Sequence, residues 1–466
     1  MKTLKLPHTL ILIFVMVVLT VIATWIIPGG AYERVEKDGR TIPVAGSYQR
    51  TESRPQGVGA LFVAPIRGFI EAAAIIGIIF IVGGAFSVIQ KTGAITAVIH
   101  NLAFKFGRSK TLRVLLIPVT MVIFSLGGAV WGMCEETMPF ILIFVPLALS
   151  LGYDTIVGVS IPFLGAAAGF AGAFFNPFTV GIAQGIAGLP LYSGLGYRLI
   201  IWAVGTAIVV TFVMVYAARV LKNPKASPVY EDDLEKRKKL MGSGPAMEKL
   251  PVLSAHKRVL AVFGGGFVFM IFGILKYKWY INEIAGVFLA MGILAGIVGR
   301  LNGDEIGRAF VEGAKDMVSA ALIIGTARAI LIVAMDGRIL DTILAGMAGS
   351  ISKFHPIVSS QLMFGSQSVI NFFVHSGTAQ AALTIPVLTP LGDLVGITRQ
   401  TTVLAFQLSE FINPLLPTSG VTMGVLGLAG LKFEKWAKAI LPLIIAWVIF
   451  AALSLIPAVL MKWGPI

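Results

Sequence analysis

A single cysteine, Cys134, is all that 466 residues contain, so no internal disulfide can form and no cysteine-rich metal cluster is expected. Its thiol reads equally as a small apolar filler or as part of a site. Charge is also scarce: charged residues make up 13% of the chain against 56% apolar ones, and mean hydropathy is +0.88. A water-soluble surface cannot be assembled from the remainder, so the solvent of this chain is a bilayer. No GxxxxGK[ST] loop is present to cradle ATP, and neither HExxH nor GxSxG occurs, which leaves no recognisable hydrolytic machinery. Acidic residues number 23 against 37 Lys and Arg, a net charge of +14. In a soluble protein that excess would suggest nucleic acid. Here the cations gather in loops, as the positive-inside bias of a membrane protein requires, so lipid is the expected partner and nucleic acid is not.

What remains is a succession of apolar segments. Lys2 and Lys5 precede an apolar run from Thr9 to Ile27, about 28 Å as a helix, which is near the thickness of the hydrocarbon core. It is too long for a signal-peptide apolar region and is read as a retained first span. A polar loop follows to Gly57, then a span over Ala72–Gln90. Ile95–Phe106 alternates apolar and polar residues at helical spacing beside Lys105, Arg108, Lys110 and Arg113, the pattern of an amphipathic helix on a membrane surface. The one extended polar stretch, Lys222–Arg258, carries Glu231, Asp232, Asp233 and Glu235 ahead of Lys236-Arg-Lys-Lys239. It divides the chain into a half at 1–221, a charged linker at 222–258 and a half at 259–466, with the N-terminus and linker expected in the cytoplasm.

The two halves repeat one another. A shift of 244 positions superposes Ile79 on Ile323, Ala85 on Ala329, Gly93 on Gly337, Val130 on Val374, Pro146 on Pro390 and Gly152 on Gly396, without a gap. Beyond it, Asn176-Pro177 matches Asn413-Pro414. In each copy two apolar arms flank a polar knot: Leu115–Val130 and Met138–Leu151 around Gly132–Thr137, then Ile357–Ile370 and Ala379–Leu391 around His375–Gln380. Two complete spans or a re-entrant hairpin would both suit such arms; two Glu at so short a hinge favour the hairpin. Each copy then has a long apolar segment broken at Asn-Pro, over Ile156–Leu189 and Thr401–Leu431, where Pro supplies no N–H and the freed carbonyls need a ligand or neighbour. Two extra spans, Leu260–Leu275 and Ile284–Val298, come before the repeat resumes near Asp316. One copy thus starts outside and the other inside. The expected fold is an all-α polytopic membrane protein of two inverted-topology repeats, each with a re-entrant hairpin and a broken transmembrane helix.

A charge at the centre of a membrane helix costs about 2.5–3.5 kcal/mol on insertion scales, so ionisable residues in apolar segments are candidates for function. They are Glu135 and Glu136 at the first knot, Arg328 within Ala320–Val333, and Glu410 three residues before Asn413-Pro414. The alternative is that Arg328 and one Glu merely lock two helices together. Adjacent Glu135 and Glu136 cannot point the same way, so one should line the site and the other cap or pair. Hydroxyls and amides at both tips (Thr137, Ser376, Thr378, Gln380) and both breaks (Asn176, Thr179, Asn413, Thr418, Ser419) offer ligands to a desolvated ion or to a solute's ammonium and carboxylate. His375 is either a proton relay or a neutral hydrogen-bonding group.

At these residues the sequence resembles the YfcC-type branch of the DcuC family, within the ion transporter superfamily. Four ordered stretches carry the resemblance: Gly132-Met-Cys-Glu-Glu-Thr-Met-Pro139, Asn176-Pro-Phe-Thr179, Ser376-Gly-Thr-Ala-Gln-Ala-Ala382 and Asn413-Pro-Leu-Leu-Pro-Thr-Ser-Gly420. The chain departs from the pattern at Thr378-Ala379, where Ser-Gly is expected. The resemblance implies a prokaryotic inner-membrane carrier, a homodimer, with a scaffold and a transport domain that moves like an elevator. It also implies a small amino-acid-like or carboxylate solute: basic amino-acid antiport is associated with the YfcC branch and C4-dicarboxylate transport with DcuC itself.

The residues themselves point to a secondary transporter, not an enzyme, with no cofactor and with Na+ or H+ as the possible coupling ion. Intramembrane Glu residues favour a cationic or zwitterionic solute of the arginine, ornithine or lysine type, since two carboxylates repel a dianion unless cations intervene. A C4-dicarboxylate carrier, with Arg328 as clamp, is the alternative. A passive channel would spread its polar residues along several helices instead of concentrating them at four mirrored breaks.

Overall fold

The computed structural model describes residues 9–464 apart from 38–39, 45, 96, 98–100, 102–108, 242–252, 278, 280 and 352. Most of the surface helix expected over 95–106 lies outside the described residues. Among the described residues seven helices are long and apolar enough to cross a membrane. The chain is nearly all helical; the correction is a pair of short two-stranded sheets, Gly30–Ala31 with Gln49–Arg50 and Arg34–Lys37 with Arg40–Pro43, in the loop after the first helix. They are too short to carry a signal in an apolar-run reading.

The 244-residue offset extends further back than the sequence suggested. Helices Val58–Glu71 and Ala73–Lys91, broken at Ala72, have their counterparts in Gly303–Lys315 and Val318–Asp336, broken at Asp316 and Met317. At that offset the match therefore begins at Gly303, not near Asp316. The two broken pairs run antiparallel: a Cβ on Gly68 would lie 2.1 Å from Gly325 O, and one on Gly313 would lie 2.2 Å from Gly83 O. Helix Thr9–Ile26 packs on Val318–Asp336, with Thr24 against Gly337, while Ile281–Val298 packs on Ala73–Lys91, with Gly292 against Ala85. The second of the two extra spans is thus the counterpart of the first helix. Among the described residues Ser254–Tyr277 has no counterpart in the first copy. A 31-residue loop in one copy and a four-residue turn in the other conceal the equivalence.

Two faces can be told apart by their polar contacts. On one, the strand loop joins the end of Val318–Asp336: Gly30 N donates to Arg338 O at 3.0 Å, and Arg34 pairs with Asp341 at 2.8 Å. On the other, the linker forms helix Tyr230–Met241, and Lys435 at the start of the last helix, Phe433–Leu460, pairs with Asp232 at 2.8 Å. The first hairpin, Lys110–Trp131 and Met138–Ser150, has its base beside the linker, where the following residue Asp154 accepts from Ser227 at 2.7 Å. The second hairpin, Pro356–Phe373 and Gly377–Leu394, has its base at the far end, where Arg399 binds Asp393 at 2.8 Å and Thr398 donates to Trp463 O at 2.7 Å. The hairpins enter from opposite faces, and the repeats are inverted.

Both long apolar segments are broken around their Asn-Pro pairs. Thr155–Ala171 resumes as a π turn at Pro177–Gly181 and helix Ile182–Ile186; Arg399–Leu408 passes into a 3-10 turn, Ser409–Leu415, and resumes at Gly420–Leu428. Small residues let the first hairpin press on the first broken helix. A Cβ on Gly169 would fall 1.8 Å from Ser125 O, and one on Gly128 would fall 2.2 Å from Ala166 O. Gly169→Ala is accordingly expected to lower stability by about 1–3 kcal/mol, the usual cost of overpacking. An unchanged thermal unfolding midpoint of the detergent-purified variant would contradict this packing.

Candidate functional site

Each tip is shaped by its own sequence. Gly132 ends the first arm with φ of 74°, and a side chain there would also collide with Asn176 Oδ1, 2.7 Å from the position of its Cβ. The turn that follows is closed by Glu136, whose Oε2 accepts from Cys134 N at 2.9 Å, and by Thr137, whose Oγ1 donates to Cys134 O at 2.6 Å. Glu136 therefore folds back on its own turn while Glu135 faces the interior cavity. At the second tip Ser376 caps helix Gly377–Leu394 by accepting from Ala379 N, and His375 Nδ1 lies 3.2 Å from Asn371 O.

The breaks bind the tips together. Phe175 N donates to Ala129 O at 3.0 Å, strapping the first break to the first hairpin, and Asn176 Oδ1 accepts from Phe178 N at 2.8 Å. Thr378 Oγ1 then donates to Phe178 O at 2.9 Å, so the second tip touches the first break. At the second break Asn413 donates its amide to Glu410, Thr422 Oγ1 donates to Asn413 O at 3.0 Å, and Ser419 caps the resumed helix.

The tips and the second break share a cavity of about 420 Å³ with helices Val58–Glu71 and Val318–Asp336. Of the fourteen residues singled out in the sequence, nine line it: Glu135, Arg328, His375, Ser376, Thr378, Glu410, Asn413, Thr418 and Ser419. Glu136, Thr137, Asn176 and Thr179 lie just behind, in the turns that shape the tip and the break. Gln380 points away from the cavity altogether. It donates to Gln367 O at 2.9 Å and Gln367 Oε1 at 2.8 Å, and Gln367 donates to Thr384 Oγ1 at 2.8 Å, a buried polar layer behind the tip. Two residues on from Thr378 is about 200° around a helix, so the two side chains cannot face the same way.

One charged lining residue lies outside that set. Glu71 ends helix Val58–Glu71 and its Oε2 lies 3.1 Å from Arg328 Nε. It falls just before the apolar run Ala72–Gln90, in a stretch that also carries Arg67, so hydropathy does not mark it as a charge within an apolar segment. Reading Val58–Glu71 as a helix in its own right would have exposed it.

Several buried polar atoms at the second break have no hydrogen-bond partner: Glu410 Oε1, Asn413 Oδ1 and Thr418 Oγ1 on residues of the cavity wall, with Asn371 Oδ1 and Gln380 Oε1 in the layer behind. All five are oxygens. A buried unsatisfied group costs about 1–3 kcal/mol, so this concentration of acceptors beside a carboxylate suits a proton, a cation or a solute ammonium. At the first break Thr179 Oγ1 and Asn176 Nδ2 are likewise unsatisfied. Among the described residues no group of three or more His, Cys, Asp and Glu is arranged to hold a metal ion.

A family model described as the C4-dicarboxylate anaerobic carrier, DcuC, matches residues 6–460. The chain is 38% identical to the Escherichia coli (strain K12) protein named "Putative basic amino acid antiporter YfcC", covering 93% of this chain and 92% of that one. It is 30% identical to a Haemophilus influenzae protein named "Uncharacterized protein", over 95% of each. Among solved structures, it aligns with the Alcanivorax borkumensis YdaH transporter at a TM-score of 0.43 and 15% identity, covering 98% of this chain and all of that one. With Neisseria gonorrhoeae MtrF, of a class of antimetabolite efflux pumps, the TM-score is 0.40 and the identity 16%, over 99% and 97%.

Proposed function

The chain belongs to the DcuC family and is a multi-pass membrane transporter of the DcuC/YfcC type, and from that premise we propose that it exchanges basic amino acids such as arginine, ornithine and lysine. One observation carries the reading: the cavity presents three carboxylates, Glu71, Glu135 and Glu410, against the single guanidinium of Arg328. A dibasic amino acid, with two cations and one carboxylate, complements that set. Arg328 takes the carboxylate and the acids take the cations. A dianion would need protons or Na+ to enter with it.

In this reading the hairpins and broken helices form the transport domain, the paired helices Val58–Lys91 and Gly303–Asp336 belong to the scaffold, and the first slides against the second in an elevator-like cycle. The protein works as a homodimer in the prokaryotic inner membrane. Its N-terminus and linker face the cytoplasm, a placement supported by the basic residues Arg219, Lys222, Lys225, Lys432, Lys435 and Lys438 at the linker end. Na+ or H+ is the coupling ion where exchange is not one-for-one, and the unsatisfied oxygens around Glu410 are its proposed place.

The second reading, a C4-dicarboxylate carrier, is favoured by the description of the matching family model. Counterflow separates the two. Proteoliposomes loaded with ornithine or lysine are expected to accelerate uptake of labelled arginine about tenfold over empty ones, with succinate and fumarate failing to compete. Strong competition by succinate without exchange of basic amino acids would reverse the assignment.

A further inference from the structure

The pair formed by Glu71 and Arg328 is not dictated by the local chemistry of either helix. Glu71 is the last residue of its helix, where the negative end of the helix dipole disfavours a carboxylate. Both side chains remain accessible at the cavity wall, 40% and 33%, so a solute can reach the pair. It is not a by-product of the duplication either, because the positions 244 residues away are Lys315 and Gly84, which cannot reproduce it. What is fixed is its position. The two helices touch at Gly68 and Gly325, where a side chain on either would strike the other, Gly68 against Gly325 O at 2.1 Å and Gly325 against the Phe69 ring at 2.4 Å. Their opposed charges are thereby held side by side on the cavity wall.

Resting on the reading of the cavity as an amino-acid site, we propose that Glu71 is a specificity-determining residue: with Arg328 it reads the α-ammonium and α-carboxylate of the solute. Both groups of an amino-acid head sit on one carbon, so they meet adjacent opposite charges and not two separate subsites. Glu71 engages Arg328 through Nε, leaving the guanidinium's terminal nitrogens to take a carboxylate. In the empty site the pair neutralises itself; the entering head inserts its own two charges and satisfies both residues at once. Glu135 and Glu410 line the same cavity from the tip and the break, where a side-chain cation would meet them. The head and the side chain are thus recognised by different helices.

The test is ligand binding to the full-length protein in detergent, by calorimetry, for wild type, Glu71→Gln and Glu71→Asp. The probes are arginine, Nα-acetylarginine, which lacks the ammonium, glutamine and succinate. Wild type is expected to bind arginine at least about tenfold more tightly than Nα-acetylarginine, the worth of one charged hydrogen bond. Glu71→Gln should bring the two within about twofold of each other, while Glu71→Asp keeps an intermediate preference. Should the Gln variant melt early, the Asp variant carries the same comparison with the charge retained. Arginine binding with the preference intact in both variants overturns the role of Glu71 and leaves basic amino-acid exchange standing. Equal binding of glutamine and arginine, both weakened by Glu71→Gln, upholds the head-reading pair and overturns the basic side-chain preference. Binding of succinate alone overturns both.

Discussion

Glu410→Gln is expected to slow arginine exchange by about 10 to 100-fold while leaving the protein folded in the membrane. Glu410 is 2% exposed, wedged between the second break and the second tip: a Cβ on Gly377 would lie 3.2 Å from its Oε1. One carboxylate oxygen accepts from the Asn413 amide and the other has no partner. Glutamine matches the volume and keeps an oxygen for Asn413, so the fold loses little. What disappears is the charge that a coupling ion or a solute cation would meet, a charge-assisted contact of about 1.5–3 kcal/mol. Counterflow normalised to reconstituted protein measures the loss. Glu136→Gln is the control, because Glu136 spends its carboxylate on the N–H of Cys134 and glutamine still accepts that bond. A wild-type rate for Glu410→Gln would reduce Glu410 to a structural partner of Asn413.

The architecture was legible wherever the chain announces itself by breaking a rule. Asn176-Pro177 and Asn413-Pro414 recur at matching places in the two copies, Gly132 ends an arm in a conformation that other residues avoid, and one offset carries Ile79–Gly152 onto Ile323–Gly396. Those features placed both hairpins and both breaks. Side-chain direction was less legible. Gln380 and Thr378 share a tip in the sequence, yet the cap at Ser376 sets a helical register that sends them to opposite sides. Glu71 was hidden because hydropathy finds charges inside apolar runs, and Glu71 stands at the end of one helix and before the start of another. The counterpart of the first helix was hidden by unequal loops. The composition of the linker marks it as charged but not which charges fold inward: Asp233 and Lys236 are held by partners far away in the chain.

That linker carries the second large expected effect, on stability. Asp233 is 2% exposed and caps the first broken helix, accepting from Thr155 N at 2.8 Å and also from the Thr155 hydroxyl. Lys236, 3.8 Å from Asp233, donates to Thr155 Oγ1 at 3.1 Å and to the carbonyls of Ala429 and Gly430 at 2.8 and 3.1 Å, where the second broken helix ends. One turn of the linker thus supplies an acid to a helix N-terminus and a base to a helix C-terminus, the arrangement the helix dipole favours at each end. Burial pushes the Lys236 ammonium below its ordinary pKa, and the neighbouring carboxylates of Asp233 and Asp232 oppose that shift. Asp233→Ala removes the cap from a buried N–H and the nearer counter-charge from Lys236 together, so it is expected to destabilise the protein by about 2–4 kcal/mol. Lys236→Met should cost less, because the cap at Thr155 survives and the methionine can still fill the space. Thermal unfolding of the purified variants measures the difference, and a wild-type midpoint for Asp233→Ala would show that the linker helix does not hold the two broken helices together.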